Sequence, residues 1–308
     1  LTSCVTLGKE RQLERVAVMG GTHGNELCSI YLVKHWLQGP SELQRGTFAA
    51  TPFLANPKAT KHCIRYVSQD LNRIKDLELG PSSISDTRDG PYEVRQAQEI
   101  NQLLGPKGSA DAFDFILALH NTVSNMAACL ISDSEENIFT MHTSPCHGAV
   151  RLCVVCMCVF VSLFLMRGLP PSSHPHRVLR ADVLSHMRAL VACGLDFNDL
   201  FNQGTSFPAF DIVAYKIIEP VDFPRSPCGE LLGFVHPRLQ DKDFFPLKPG
   251  DPIFQLFSGE EIFYEGDATI YPAFINEASY CEKGAAFYKM KKCTFSIPPL
   301  EAPVASAP

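Results

Sequence analysis

The chain has no excess of basic residues. Its 308 residues carry 27 Lys and Arg against 33 Asp and Glu, a formal net charge of −6. That balance argues against nucleic acid as the main partner, because phosphate backbones are bound by basic faces. No fixed period of 20–50 residues recurs, which argues against a solenoid. The apolar run at 152–166 is only fifteen residues long, short of the roughly twenty that a helix needs to cross a bilayer. Twelve cysteines are thinly spread, apart from a knot at Cys153, Cys156 and Cys158. A secreted disulfide scaffold is shorter and denser, so the thiols read as reduced and cytosolic. The opening Leu1-Thr-Ser-Cys-Val has no apolar h-region, hence the expectation of no secretory signal. It also has no initiator methionine, which reads as a fragment or an imperfect gene model. What is present is a globular composition, 45% apolar and 19% charged, at a length suited to about two domains.

The first hundred residues alternate between strand and helix signals. Arg15-Val-Ala-Val-Met-Gly-Gly is a short apolar run ending on paired glycines, the pattern of a buried strand entering a turn. Residues 27–37 carry apolar side chains at helical spacing, and 47–54 read as a strand before a break at Asn56-Pro57. Residues 92–104, with Glu93 and Glu99, read as a helix that stops at Gly105-Pro106. Residues 113–119 form a second apolar strand that delivers His120 and Asn121 at its end. Ligand sites of open α/β sheets gather beyond strand C-termini, so strands ending near His23 and His120 are expected to meet in one crevice. A helix is expected over 182–201. Short strand-like runs follow at 213–218, 231–235, 252–257 and 269–275, then a loose tail from Pro298. The expectation is an α/β catalytic domain over 1–205 and a smaller β-rich domain over 206–308.

The strongest chemical signal is Gly20-Gly21-Thr22-His23-Gly24-Asn25-Glu26, directly after the first strand. A histidine and a glutamate three residues apart in a strand-to-helix turn can both reach one metal. Imidazole and carboxylate are ordinary zinc ligands, and a catalytic zinc takes three protein ligands plus water. His120 is the natural third. The competing reading is a polar turn whose acid is favoured by the helix dipole. Arg65-Tyr-Val-Ser-Gln-Asp70-Leu-Asn72-Arg73 supplies two guanidiniums and an amide, suited to a carboxylate or a polarised carbonyl. Standing alone, such a run is more often a solvated loop.

Together, His23-Gly-Asn-Glu26, Asp70-Leu-Asn-Arg73, Leu119-His120-Asn121-Thr122 and Asn276-Glu277-Ala278-Ser279-Tyr280 resemble the signature segments of the aspartoacylase/succinylglutamate desuccinylase family. Two further segments, Phe201-Asn-Gln-Gly-Thr-Ser-Phe-Pro-Ala-Phe and Phe254-Gln-Leu-Phe-Ser-Gly-Glu-Glu, resemble its branch that deacetylates N-acetyl aromatic amino acids and mercapturates. The resemblance implies a zinc-carboxypeptidase-like mixed sheet flanked by helices, with a smaller β-rich C-terminal domain. It implies one zinc per subunit on His23, Glu26 and His120, with Arg65 polarising the scissile carbonyl. Asn72 and Arg73 would hold the substrate α-carboxylate, and Tyr280 would close the pocket. It further implies a cytoplasmic homo-oligomer, able to associate peripherally with the apical membrane, acting on a small N-acyl amino acid. Aspartoacylase activity on N-acetylaspartate is the nearest alternative. A non-catalytic zinc-binding isoform and a misfolded or unexpressed product are the others.

The resemblance breaks between Gly148 and Arg177. Family members supply there a strand leading to the glutamate that takes a proton from water; this chain has no acidic residue from Ala149 to Ala181. The general-base Glu is therefore absent. A transmembrane helix is too short, a cysteine metal site lacks a fourth ligand at a standard spacing, and a replacement buried strand suits the Val, Phe and Cys content. The favoured reading is a segment outside the authentic coding sequence, since alternating Val, Cys and Met match translation of a GT repeat. Ala118 stands where the family carries an aspartate, and Val123 where it carries a threonine. The resulting expectation is an aminoacylase with intact zinc ligands and impaired catalysis.

Overall fold

The computed structural model describes residues 11–74, 90–105, 109–132, 137–143, 151–154, 161–166 and 181–303, the 151–154 and 161–166 stretches as backbone only. The tail expected to be loose from Pro298 is docked at its start, where Leu300 bridges Phe207 and the Pro298 carbonyl accepts from His142 Nε2 at 2.8 Å; its part beyond residue 303, Cys156, Cys158 and most of the 149–177 segment lie outside the described residues.

The chain opens with β1 (Arg15–Gly20), α1 (Leu27–Gln38), β2 (Ala49–Leu54), α2 (Pro57–His62) and α3 (Tyr92–Leu104). Then come β3 (Phe115–Asn121), β4 (Ala127–Ser132), α4 (Ile138–Thr143), β5 (Arg151–Val154), β6 (Val161–Met166) and the long α5 (Ala181–Asn202). The remainder is β7 (Phe210–Val221), β8 (Gly233–Val235), β9 (Pro252–Leu256), β10 (Glu261–Phe263), β11 (Tyr271–Ala273) and β12 (Phe287–Ile297). Nine strands form one mixed sheet in the order β11-β12-β7-β5-β4-β6-β3-β1-β2, and β10-β9-β8 form a small antiparallel sheet.

Alternation along β1 and β3 shows why this sheet is covered on both faces. Val16, Val18, Phe115, Leu117 and Leu119 face α1 and α5, packing with Leu32, Val33, Trp36, Leu190 and Leu195. Ala17, Met19 and Ala118 face the other side, against Phe53, Ala55 and Leu104 of α3. Strands buried on both faces read as unbroken apolar runs, which is why β1 and β3 were visible in the sequence. β1 lies between β2 and β3, parallel to both, with Val16 opposite Phe115 and Met19 opposite Ala118. The two strands that carry the candidate ligands therefore end side by side on one edge.

Residues 151–154 and 161–166 are strands in the interior of the sheet. β6 runs parallel to β3 and antiparallel to β4, and β5 joins β4 to β7. This backbone arrangement is the one the replacement-strand alternative anticipates. No described helix is long and apolar enough to cross a membrane. The C-terminal region is β-rich, as expected; its strands pair antiparallel with one another, and β7, which also lies parallel to β5, continues the main sheet with β12 and β11. The small sheet has its own core, built on Val235, Phe254, Ile270 and Phe287.

Beside this region Asp243 is buried and accepts the Ile275 N–H at 3.1 Å. Burial pushes its carboxyl up to about 7, against backbone hydrogen bonds that favour the charged form. A carboxyl whose folded pKa lies above its unfolded value binds more protons in the native state. Stability therefore falls as pH rises from about 4 to about 7, then levels off. The expected loss is on the order of 2–4 kcal/mol. Asp243→Asn should abolish that slope in urea unfolding measured from pH 4 to pH 8. An unchanged slope would mean that another group titrates.

Candidate active site

The site forms where β1 turns into α1. Gly21 has φ +67°, and a Cβ there would lie 2.6 Å from Leu54 Cδ1, so the second glycine of the pair is required. His23 follows in the turn and Glu26 stands at the N-terminal boundary of α1. His120 is the penultimate residue of β3. All three are buried, with donor atoms within 4.8 Å of one another. His23 Nδ1 lies 2.6 Å from Glu26 Oε1, and His120 Nδ1 lies 3.2 Å from Glu26 Oε2. The same Oε2 accepts the Asn121 N–H at 3.1 Å.

Burial alone would raise the Glu26 carboxyl, but the His23 and His120 charges hold it well below the usual carboxylate range. It therefore faces the histidines as an anion. Two imidazoles and one carboxylate, buried and convergent, are the donor set of a three-ligand zinc centre. The arrangement fits that metal. The far nitrogen of His23 lies 2.9 Å from Asp70 Oδ1, and a carboxylate in this position orients a ligating histidine. On the other side, Ala118 is buried two residues before His120 on the same face of β3.

Asp70 is the hub of the neighbouring loop. Arg65 Nη2 donates to its Oδ2 at 3.2 Å, Lys283 Nζ donates to the same oxygen, and Asn72 N–H donates to Oδ1 at 3.1 Å. Burial opposes ionisation here too, yet His23, Arg65 and Lys283 hold Asp70 far below the ordinary range. Arg65 Nη1 stands 3.9 Å from Glu26 Oε1, so its guanidinium borders the metal donors. Arg65 Nε is buried without a hydrogen-bond partner.

Asn72 is half-buried in the short turn Leu71–Arg73, while Arg73 is exposed and donates to the Asn72 carbonyl at 3.2 Å. Tyr280 packs edge-on against Phe274 and Tyr288, with Lys283 Nζ 5.5 Å from its ring centre. Burial and the Glu277 charge raise its phenol, while the Arg73 and Arg65 charges pull it back. The structure thus brings His23, Glu26, His120, Arg65 and Tyr280 into one neighbourhood, with Asn72 and Arg73 at its exposed side.

Sequence reasoning assigned no role to Asp70, Glu93, Glu277 or Lys283. Asp70 could have been found as the single acid between two arginines. Glu277 could not, because its partners are Thr122, the Val123 N–H at 2.7 Å and Ser279. Partners some 155 residues away in the sequence leave no local signature.

Residues 12–161 match the succinylglutamate desuccinylase/aspartoacylase catalytic domain, and residues 210–292 match the AstE/AspA barrel-sandwich hybrid domain. The human N-acyl-aromatic-L-amino acid amidohydrolase (carboxylate-forming) is 52% identical over 303 residues, covering 94% of each chain. Mouse aspartoacylase is 44% identical over 308 residues, covering 96% of this chain and 97% of that one. The crystal structure of murine aminoacylase 3 superposes with a TM-score of 0.87 at 48% identity, covering 95% of this chain and 99% of that one.

Proposed function

Because the chain belongs to the succinylglutamate desuccinylase/aspartoacylase family, we propose that it is a zinc-dependent amidohydrolase deacetylating N-acetyl aromatic amino acids and mercapturates, impaired in its proton-transfer chemistry. The observation that carries this reading is the buried His23, Glu26 and His120 cluster beside the Arg65 guanidinium. His23, Glu26 and His120 hold the zinc. When bound, zinc supplies Lewis acidity toward water and the scissile carbonyl. Asp70 fixes the His23 ring through its far nitrogen. Arg65 stabilises the negative charge that develops on the carbonyl oxygen. Asn72 and Arg73 bind the α-carboxylate, for which a guanidinium offers two parallel donors. Tyr280 closes the pocket from the C-terminal region.

The impairment rests on what is left to accept a proton. Three described carboxylates at the site are already engaged: Glu26 by two histidines and a backbone N–H, Asp70 by His23, Arg65 and Lys283, Glu277 by Thr122, Val123 and Ser279. The segment 149–181 contributes no acid. A general base is worth about 10²–10⁴-fold, and turnover is expected to fall by that factor. On family resemblance alone we extend the reading to a cytoplasmic homo-oligomer with peripheral affinity for the apical membrane, divided at residues 205/206.

The test is hydrolysis of N-acetyltyrosine and N-acetylaspartate by the zinc-loaded chain, with and without chelator. Slow, chelator-sensitive turnover that favours N-acetyltyrosine is expected. Preference for N-acetylaspartate would support the aspartoacylase alternative, to which the 44% identity to mouse aspartoacylase lends weight. Zinc uptake without any turnover would mark a non-catalytic isoform, and turnover that survives chelation would overturn the proposal.

A further inference from the structure

We propose that Glu93 is the positioning residue that locks the 65–73 loop against the metal-bearing turn. The inference rests on the functional reading above, which gives that loop Arg65, Asn72 and Arg73 for the substrate and Asp70 for His23.

Glu93 lies in the first turn of α3 and is fully buried. Its carboxylate accepts three successive backbone N–H groups, from Val67 at 2.6 Å, Ser68 at 2.9 Å and Gln69 at 3.2 Å. Asn56 Nδ2 donates to it as well, at 3.2 Å. Successive N–H groups converging on one anion form a nest, which concentrates partial positive charge. The Tyr92 N–H donates to Ser68 Oγ at 3.0 Å, tying the same loop to the start of α3.

The attachment continues toward the metal. Asn56 Oδ1 accepts the Ala59 N–H at the head of α2, and the Arg65 carbonyl accepts the Gly24 N–H between His23 and Glu26 at 3.2 Å. Arg65 lies two residues before the nest and Asp70 one residue after it. Releasing the nest therefore frees the flank that carries Asn72 and Arg73, while the Gly24 N–H still holds the Arg65 side, and displacements near 1 Å at a reacting centre cost on the order of 100-fold in rate. Glutamine at this position turns one acceptor atom into a donor that faces backbone N–H groups.

The experiment uses the zinc-loaded full chain with Glu93→Gln and Glu93→Asp. One readout is amide hydrogen exchange. The other is the affinity for N-acetyltyrosine relative to N-acetyltyramine, the same molecule without its α-carboxylate. Glu93→Gln should speed exchange at 67–69 while leaving β1 and β3 protected. It should also remove at least about tenfold of the carboxylate preference, with N-acetyltyramine affinity unchanged. Should Glu93→Gln fail to fold, Glu93→Asp keeps the charge, retracts it by one methylene, and should give the same pattern. Uniformly faster exchange, or equal loss of both affinities, would reduce Glu93 to a stability residue and overturn the inference. If the parent chain binds neither ligand, the functional reading falls, and exchange at 67–69 alone decides the role of Glu93.

Discussion

Gly24→Ala is expected to cost zinc affinity about 10–100-fold while the rest of the sheet stays folded. A Cβ at Gly24 would lie 2.1 Å from the Ala59 carbonyl carbon, 2.2 Å from its oxygen and 2.3 Å from Thr60 N. All three are backbone atoms, so no side chain can rotate away. α2 is fixed in turn by the Asn56 cap and by Pro57 at its first turn. The strain is relieved most directly by moving the turn that carries His23 and Glu26. Overpacking of this kind costs about 1–3 kcal/mol, and the upper end is expected because backbone must shift. Calorimetric zinc titration and thermal melting of the variant check both parts. An affinity within threefold of the parent would mean that the turn tolerates a side chain, and the close-approach argument would be lost.

The second large effect is expected at Glu277. Its buried carboxylate draws Thr122, Val123 and Ser279 together across about 155 residues of sequence. Thr122 and Val123 directly follow the strand that supplies His120, and Tyr280 lies three residues beyond Glu277. Glu277→Ala leaves buried donors without acceptors, each worth about 1–3 kcal/mol. The expected destabilisation is on the order of 3 kcal/mol, with Tyr280 released from the site. Urea unfolding of the variant measures the first part, and quenching of Tyr280-dependent ligand binding measures the second. A stability loss under about 0.5 kcal/mol, the level of a neutral surface change, would show that the lock is not structural.

The legible and illegible parts of this chain separate on physical grounds. β1 and β3 announce themselves as unbroken apolar runs, α1 and α5 by apolar residues at helical spacing, and α3 by its stop at Gly105-Pro106. The paired glycines and His23-Gly-Asn-Glu26 are readable because a tight strand-to-helix turn that presents two donor side chains needs particular residue types in order. β12 was not expected, although it pairs with β7 over eleven residues. Lys289, Lys291 and Lys292 interrupt the apolar alternation that identifies a strand. β4 also went unread. It borders β5 and β6, whose sequence departs from the family and offers no pattern to pair against. Asn56-Pro57 read as a break, whereas Asn56 caps a short helix with proline in its first turn, a signal available in the sequence.

In the site, the convergence of His23, Glu26, His120 and Arg65 was readable, while most of the groups hydrogen-bonded around them, Asp70 apart, were not. Glu93 looked like an ordinary acid in the first turn of a helix, a place where the dipole favours negative charge. Its second role depends on where the 67–69 backbone folds, which no residue type reveals. Lys283 reached Asp70 from 213 residues away.

His23, Glu26 and His120 are expected to hold one zinc between them. Zinc stoichiometry of the purified chain, its His120→Ala variant and its Glu26→Gln variant, by elemental mass spectrometry after dialysis, tests it most directly. About one zinc per chain in the parent and under about a tenth in both variants is the expected result, since a catalytic zinc rests on three protein ligands. A parent that takes up no zinc, or variants that retain it in full, would contradict the account.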